Sequence, residues 1–268
     1  MTSTLNNNKQ PKPARSGARK WLSLSTTGVV IAGVALALIF GGVEPAEVDL
    51  DSTVNALTAT TAVLGPKTSA ASSAPESASQ ALTDASGDWS VDTTTGTFSF
   101  EAATATFAEF RVEEELARVG ANTAVGRSPE VSGAVRINGT SITQAQIEVD
   151  LTAIVSDESR RENAIREALN TNRHPTATFV LTEPIDFGEV PTKGVTVSVT
   201  ASGDLTINCV TRTVEILLDA QVSGELVLVV GSTNVIFADF EIETPSAPVV
   251  LSVADEGTIE FQLWLVRA

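Results

Sequence analysis

The sequence predicts an all-β fold for residues 87–268, antiparallel strands closed as a barrel or packed as a sandwich, with one short helix. A membrane-crossing helix and a flexible linker precede it. Three observations carry this reading. After Trp89, apolar and polar residues alternate with a period of two, the mark of a sheet with one buried face. Turn dipeptides punctuate the alternating runs. The charges fall into three regimes, +5 over residues 1–43, −5 over 44–86 and −16 over 87–268.

Residues 1–20 carry Lys9, Lys12, Arg15, Arg19 and Lys20 without an acid and read as a basic cytoplasmic tail. From Trp21 to Val43 run 23 residues without a charge, rich in Val, Ala, Leu and Ile. As a helix this run is about 34 Å long, enough for a hydrocarbon core of about 30 Å. Positive charges before it and acids after it keep the N-terminus cytoplasmic and export the rest, so the β-domain is expected outside the cell membrane on a single-pass signal anchor. A cleaved signal peptide is the rival, but Phe40-Gly-Gly-Val-Glu-Pro-Ala46 offers no good small-x-small site.

Residues 44–86 lack aromatic residues, and Ala, Ser and Thr supply 23 of the 43. Pro45, Pro66 and Pro75 interrupt any helix. Such a stretch buries too little apolar surface to offset ordering entropy and reads as a flexible linker spanning roughly 35 Å.

The strand signals are Thr97–Phe100, Ile147–Leu151, Thr176–Thr182, Val195–Val199, Val214–Asp219 and Ile259–Leu265. Asn138-Gly139 is a type I′ hairpin cue, and Gly203-Asp204, Ser223-Gly224 and Glu256-Gly257 read as further turns. About eight to ten strands fit the region, and periodicity leaves barrel and sandwich open. One helical run, Asp157–Leu169, sets Ala164, Ile165, Ala168 and Leu169 on one face, as a lid over one end or a connection on the rim. Ser156 or Asp157 can cap it and Pro175 stops it.

Composition removes much common enzymology. A formal charge of −16 over 268 residues disfavours nucleic acid, whose phosphates would be repelled. A single histidine, His174, and a single cysteine, Cys209, leave no multi-His or Cys-based metal site and no intramolecular disulfide. No nucleophile–base pair, dinucleotide fingerprint or P-loop stands out, so neither a catalytic residue nor a metal or organic cofactor is expected.

Several stretches resemble one family. Arg160–Phe179, ending in His-Pro-Thr-Ala-Thr-Phe, is similar to the helix-then-yPtatF element of the YceI-like family. Gly203-Asp-Leu-Thr-Ile-Asn-Cys-Val-Thr-Arg-Thr-Val214 is similar to its GdLTihGvTrpV strand–turn–strand. Trp89–Asp92, Val125–Gly133, Phe237–Phe240 and Gly257–Leu265 match in the expected order, so the resemblance spans about residues 87–268. It departs at Asn208-Cys209, where the family has His-Gly, and at Glu241, where a Gly is usual. The resemblance implies a lipocalin-like antiparallel barrel, exported, without a known catalytic site, whose interior holds a polyisoprenoid or other long-chain lipid.

A small closed barrel either fills its interior or encloses one slender ligand. Alternation gives Phe98, Phe100, Ile147, Val149, Leu151, Phe179, Leu181, Ile216, Leu218, Phe237, Ile259, Phe261 and Leu263 as inward candidates, lining a lipid cavity or forming a dry core. Arg161, Arg166 and Arg173 near the helix are candidates for a phosphate head group, or else pair with glutamates of the same helix. His174 and Cys209 read as turn residues, Glu113-Glu-Glu115 as a solvated rim, and Asn138-Gly-Thr140 as a hairpin turn that also spells a glycosylation sequon. Two functions follow: a membrane-tethered carrier of a long-chain lipid, or a filled structural domain presenting an acidic surface to cell-envelope partners.

Overall fold

Alternation places branched and aromatic side chains on one face of each strand, and twisted strands of this kind bury that face by curling into a closed sheet. The computed structural model describes residues 44–63, 84–245 and 247–268. The basic tail, the apolar run at 21–43 and linker residues 64–83 lie outside the described residues; among those described, no helix is long and apolar enough to cross a membrane.

In chain order the described elements are α1 (Leu50–Val63), β1 (Gly87–Asp92), β2 (Phe107–Leu116), β3 (Gly120–Ser128), β4 (Val131–Asn138), β5 (Ser141–Asp150), α2 (Ser159–Ala168), β6 (Thr176–Leu181), β7 (Ile185–Asp186), β8 (Thr196–Ile207), β9 (Val210–Ser223), β10 (Leu226–Ile236), β11 (Val250–Val253) and β12 (Glu256–Arg267). Short 3₁₀ turns follow β5 (Leu151–Ala153) and β10 (Phe237–Phe240). Every pairing is antiparallel. Eight strands close a ring in the order β1-β4-β5-β6-β8-β9-β10-β12, and β12 returns to β1 through Trp89↔Arg267 to Asp92↔Trp264. Barrel, not sandwich, is therefore the architecture. The first half of β12 (Thr258–Gln262) pairs instead with β2, which carries β3 and the short β11 as a flap on the wall.

Turn chemistry explains the register and corrects some expectations. Asn208 and Cys209 both take positive φ, +51° and +63°, between the paired Ile207 and Val210, the pattern of a two-residue I′ turn. Asn138 pairs with Ser141, so the β4–β5 loop is Gly139-Thr140, with only Gly139 at positive φ as a II′ turn has it. Gly203-Asp204 and Glu256-Gly257, expected as turns, lie inside β8 and β12. Their glycines serve close packing: a Cβ at 203 would stand 2.3 Å from Phe179 Cζ. Thr97–Phe100, expected as a strand, forms a loop between β1 and β2 that folds back when Thr104 and Ala105 donate to the Thr97 carbonyl.

The reading of residues 44–86 as an unstructured linker is corrected over 44–63. Asp49 caps α1, its carboxylate accepting from the Ser52 amide at 2.7 Å. Leu50, Val54 and Leu57 then form a stripe that packs with Val48 on Leu228, Val230 and Trp264 of the barrel's outer wall. Trp264 is fully buried there. Composition hid this strap because its apolar residues are few and their partners lie some two hundred positions away.

Under the strap the outer wall buries a network of charges. Arg111 Nε donates to Glu109 and Glu260, both at 2.9 Å, and Arg127 donates to the other Glu109 oxygen. The strap completes it: Glu44 and the Pro45 carbonyl accept from Arg111, the Ala46 carbonyl from Arg127, and the Val48 amide donates to Glu260. No buried side-chain polar atom among the described residues lacks a partner, which such a network requires. Burial first, then the neighbouring Glu260 carboxyl, push Glu109 up to about 7 against the pull of Arg127 and Arg111.

An unfolded glutamate releases its proton near 4.5, whereas folded Glu109 holds its own to about 7, so the folded state binds the extra proton between these values. Stability in urea titrations should therefore fall as pH rises from about 5 to about 8, and Glu109→Gln should flatten that dependence; a slope unchanged in the variant would mean that other groups set it. Cys209 occupies a left-handed position without being glycine, so Cys209→Gly should raise unfolding free energy by about 1 kcal/mol. Equal stability of the two proteins would mean an unstrained turn.

Candidate internal cavity

The inner wall is built from pairs of a bulky residue facing a glycine. Phe110 opposes Gly126 across β2–β3, Ile147 opposes Gly133 across β4–β5, and Phe261 opposes Gly231 across β12–β10. Phe179 lies over Gly203 on the neighbouring strand and Phe237 over Gly257. Ring atoms of Phe110, Phe179 and Phe261 approach the glycines so closely that a Cβ there would meet them at 2.3–2.7 Å. The rings thus spread along the wall instead of crossing the lumen.

What remains is a cavity of about 300 Å³. Well-packed interiors rarely keep voids larger than a water molecule, whereas ligand sites begin at about this size. Ile147, Val149, Leu151, Phe179, Leu181, Ile216, Leu218, Phe237, Ile259, Phe261 and Leu263 all line it. Phe98 and Phe100 do not, because their segment is the β1–β2 loop. Phe98 packs against Phe107, ring centroids 6.4 Å apart, and the Arg127 guanidinium sits over that same Phe107 ring. The Phe100 carbonyl accepts from Arg127 at 2.9 Å.

One end is closed by α2, whose Ala164, Ile165, Ala168 and Leu169 face the cavity as their spacing predicts. Ile165 is buried among Leu151, Ile154, Leu205, Ile207 and Phe240. The helix starts at Glu158 without a side-chain cap; Ser156 instead donates its hydroxyl to the Val125 carbonyl, and its amide donates to Glu162.

The three candidate arginines separate. Arg161 lines the cavity at this end, held by Glu114 at 2.8 Å and by Asp157. Arg166 faces away, donating to the carbonyls of Thr152 and Ile154 and lying 3.7 Å from Glu162, so it fastens the helix to the 3₁₀ turn. Arg173 is exposed beyond the helix and does not line the cavity. His174 is a turn residue, its amide donating to the Asn170 carbonyl.

The sequence reading missed Phe110 and the part of the wall formed by Thr244, Pro245 and Val253. Ala108, Phe110 and Val112 do alternate with Glu109 and Arg111. That signal was available, but Phe107 and the run Glu113–Glu115 disguise it.

A polyisoprenoid-binding domain from Saccharophagus degradans, implicated in plant cell wall breakdown, is similar with a TM-score of 0.52 and 17% identity, over 67% of this chain and 98% of that one. BcnA of Burkholderia cenocepacia is similar over 59% of this chain and 95% of its own, at 19% identity and a TM-score of 0.45. The YceI protein of Campylobacter jejuni is similar over 52% and 82%, at 16% identity and a TM-score of 0.41. No curated protein matches the chain. The YceI-like domain matches residues 89–265, the whole barrel from Trp89 on β1 to Leu265 on β12, and the chain belongs to that family.

Proposed function

We propose that the protein is a non-catalytic carrier that holds one long-chain lipid of the polyisoprenoid type in its barrel, outside the cytoplasm, and that residues 21–43 anchor it in the cell membrane. The cavity of about 300 Å³ with a wall of aliphatic and aromatic side chains is the observation that carries the reading. Each buried methylene of a bound chain contributes about 0.8 kcal/mol, so a slender apolar ligand needs no charge contact to bind tightly. The polyisoprenoid-binding character of the Saccharophagus degradans domain supports the same ligand class. Arg161, a cation on the cavity wall, is the side chain placed to meet a polar head group. A filled core serving only as a scaffold for envelope partners is disfavoured by the void itself.

The test turns on Gly126. A methyl there meets Phe110 Cε1 and Cζ at 2.6 and 2.7 Å and Ile154 Cγ2 at 3.1 Å, all side-chain atoms, so Gly126→Ala drives the ring toward the lumen without touching backbone. Native mass spectrometry of the full-length protein from bacterial membranes should show a discrete added mass that dissociates as a prenyl lipid. Gly126→Ala should keep its far-UV circular dichroism and lose affinity on the order of tenfold, the usual scale of overpacking. A clean apo mass that persists after incubation with polyprenyl lipids would overturn the carrier reading.

A further inference from the structure

We infer that the barrel stands on a neutral lipid surface with its α2 end down, in contact through an apolar rim formed by Val119, Val249 and Leu251; this rests on reading residues 21–43 as a membrane anchor. Contacts of the β8–β9 turn fix which end this is. Asn170, just after α2, donates to Asn208, and Asn208 donates to the carbonyls of Phe240 and Glu241. The α2 helix, the Phe237–Phe240 turn and Cys209 therefore share one end, and the β9–β10 turn at Gly224 lies at the other.

The strap has a direction. Glu44 and Pro45 meet Arg111, the strand partner of Thr258, Val48 then meets Glu260, and Leu50 and Thr53 lie further on against Trp264 and Gln262; β12 runs away from the α2 end, its first residue Glu256 pairing with Ile236 just before the Phe237–Phe240 turn. Glu44 and Pro45 begin the strap in a crevice shared with Asp157 and Arg161. The chain thus reaches the barrel at the α2 end, beside the arginine on the cavity wall. The uncharged run stops at Val43 and Glu44 already pairs with Arg111 at 3.2 Å, so no spacer separates anchor from barrel. Instead of swinging on a long tether, the domain has its α2 end held at the membrane.

That end is dressed for the contact. Val119, Val249 and Leu251 are 42%, 61% and 62% exposed, on adjacent segments joined by the Ala117 amide donating to the Val249 carbonyl and by the Leu116↔Val250 pair. Val253, two residues beyond Leu251 on β11, lines the cavity, so the patch and the cavity wall share one strand. Exposed charges at this end of the barrel are mixed: Arg118, Arg160, Arg173 and Arg212 stand among Glu113, Glu115, Asp239, Glu241, Glu243 and Asp255. The acids exclude attraction to an anionic surface, and the contact is apolar and insensitive to salt.

The protein supplies its own reporter, since Cys209 is its single, exposed thiol and lies at the α2 end. Full-length protein would be reconstituted into phosphatidylcholine vesicles and labelled at Cys209 with a small fluorophore, and Cys209→Ser/Gly224→Cys would carry the same label at the opposite end. Head-group spin-labelled phosphatidylcholine should quench the label at 209 at least several-fold more than the label at 224, equally at low and high salt. Val249→Asp/Leu251→Asp, at exposed positions that leave the fold intact, should reduce the quenching at 209. Equal quenching at both ends, or stronger quenching at 224, overturns the orientation. Failure of the protein to float with the vesicles overturns it through the anchor on which it rests. Native mass spectrometry of the same samples keeps the readings apart, because an empty barrel with the quenching difference intact sinks the carrier reading and leaves the orientation standing.

Discussion

Everything in this domain depends on β12 having both edges and both faces occupied. One edge is zipped along β10 for ten residue pairs, from Val227↔Leu265 to Ile236↔Glu256. The other edge is divided, Thr258–Gln262 to β2 and Trp264–Arg267 to β1. The division lets a ring of eight strands carry a flap without leaving an open edge at the joint. Inward, Ile259, Phe261 and Leu263 form cavity wall; outward, Glu260, Gln262 and Trp264 are as buried as core residues.

The two faces solve opposite problems. Inside, a barrel of this size would normally fill its lumen with side chains. Glycine at 126, 203 and 231 gives the rings of Phe110, Phe179 and Phe261 room against the wall, and space survives in the middle. Outside, Glu109, Arg111, Arg127 and Glu260 would be an ordinary solvated patch if the strap did not cover them. Once covered, each needs its partners, and the strap backbone supplies several: two carbonyls to the arginines and one amide to Glu260. Burial of charge and placement of the N-terminal segment are therefore one structural fact.

Much of this was legible in the sequence. Alternation in β5, β6, β9 and β12 marked the inward residues, because a half-buried strand leaves the clearest signal a sequence has. The helix face at Ala164, Ile165, Ala168 and Leu169 was equally plain. Several of the failures concern residues whose burial comes from distant chain. Glu109 and Arg111 look solvent-facing until Pro45 and Ala46 arrive, and Leu50 looks like part of a polar tether until Trp264 is beside it. Phe98 and Phe100 alternate as a strand would, yet Phe98 finds its partner in Phe107 and no strand forms. Gly203 and Gly257 carry the composition of turns, but their work is to accept neighbouring rings, which local spacing does not encode. Arg166 and Arg173 could be assigned a direction only once the helix was seated.

The position of β12 in the chain has a consequence for biosynthesis. Every other described strand is translated first, yet β1 closes only onto β12, and the strap's main apolar seat includes Trp264 near the strand's end. A nascent chain therefore carries an incomplete sheet with an exposed apolar interior until β12 has been made. Ring closure, cavity and strap site then form together, in a single late, long-range step of the kind that folds slowly. Until Trp264–Arg267 meet β1 the ring stays open, and the apolar interior depends on being shielded while it waits.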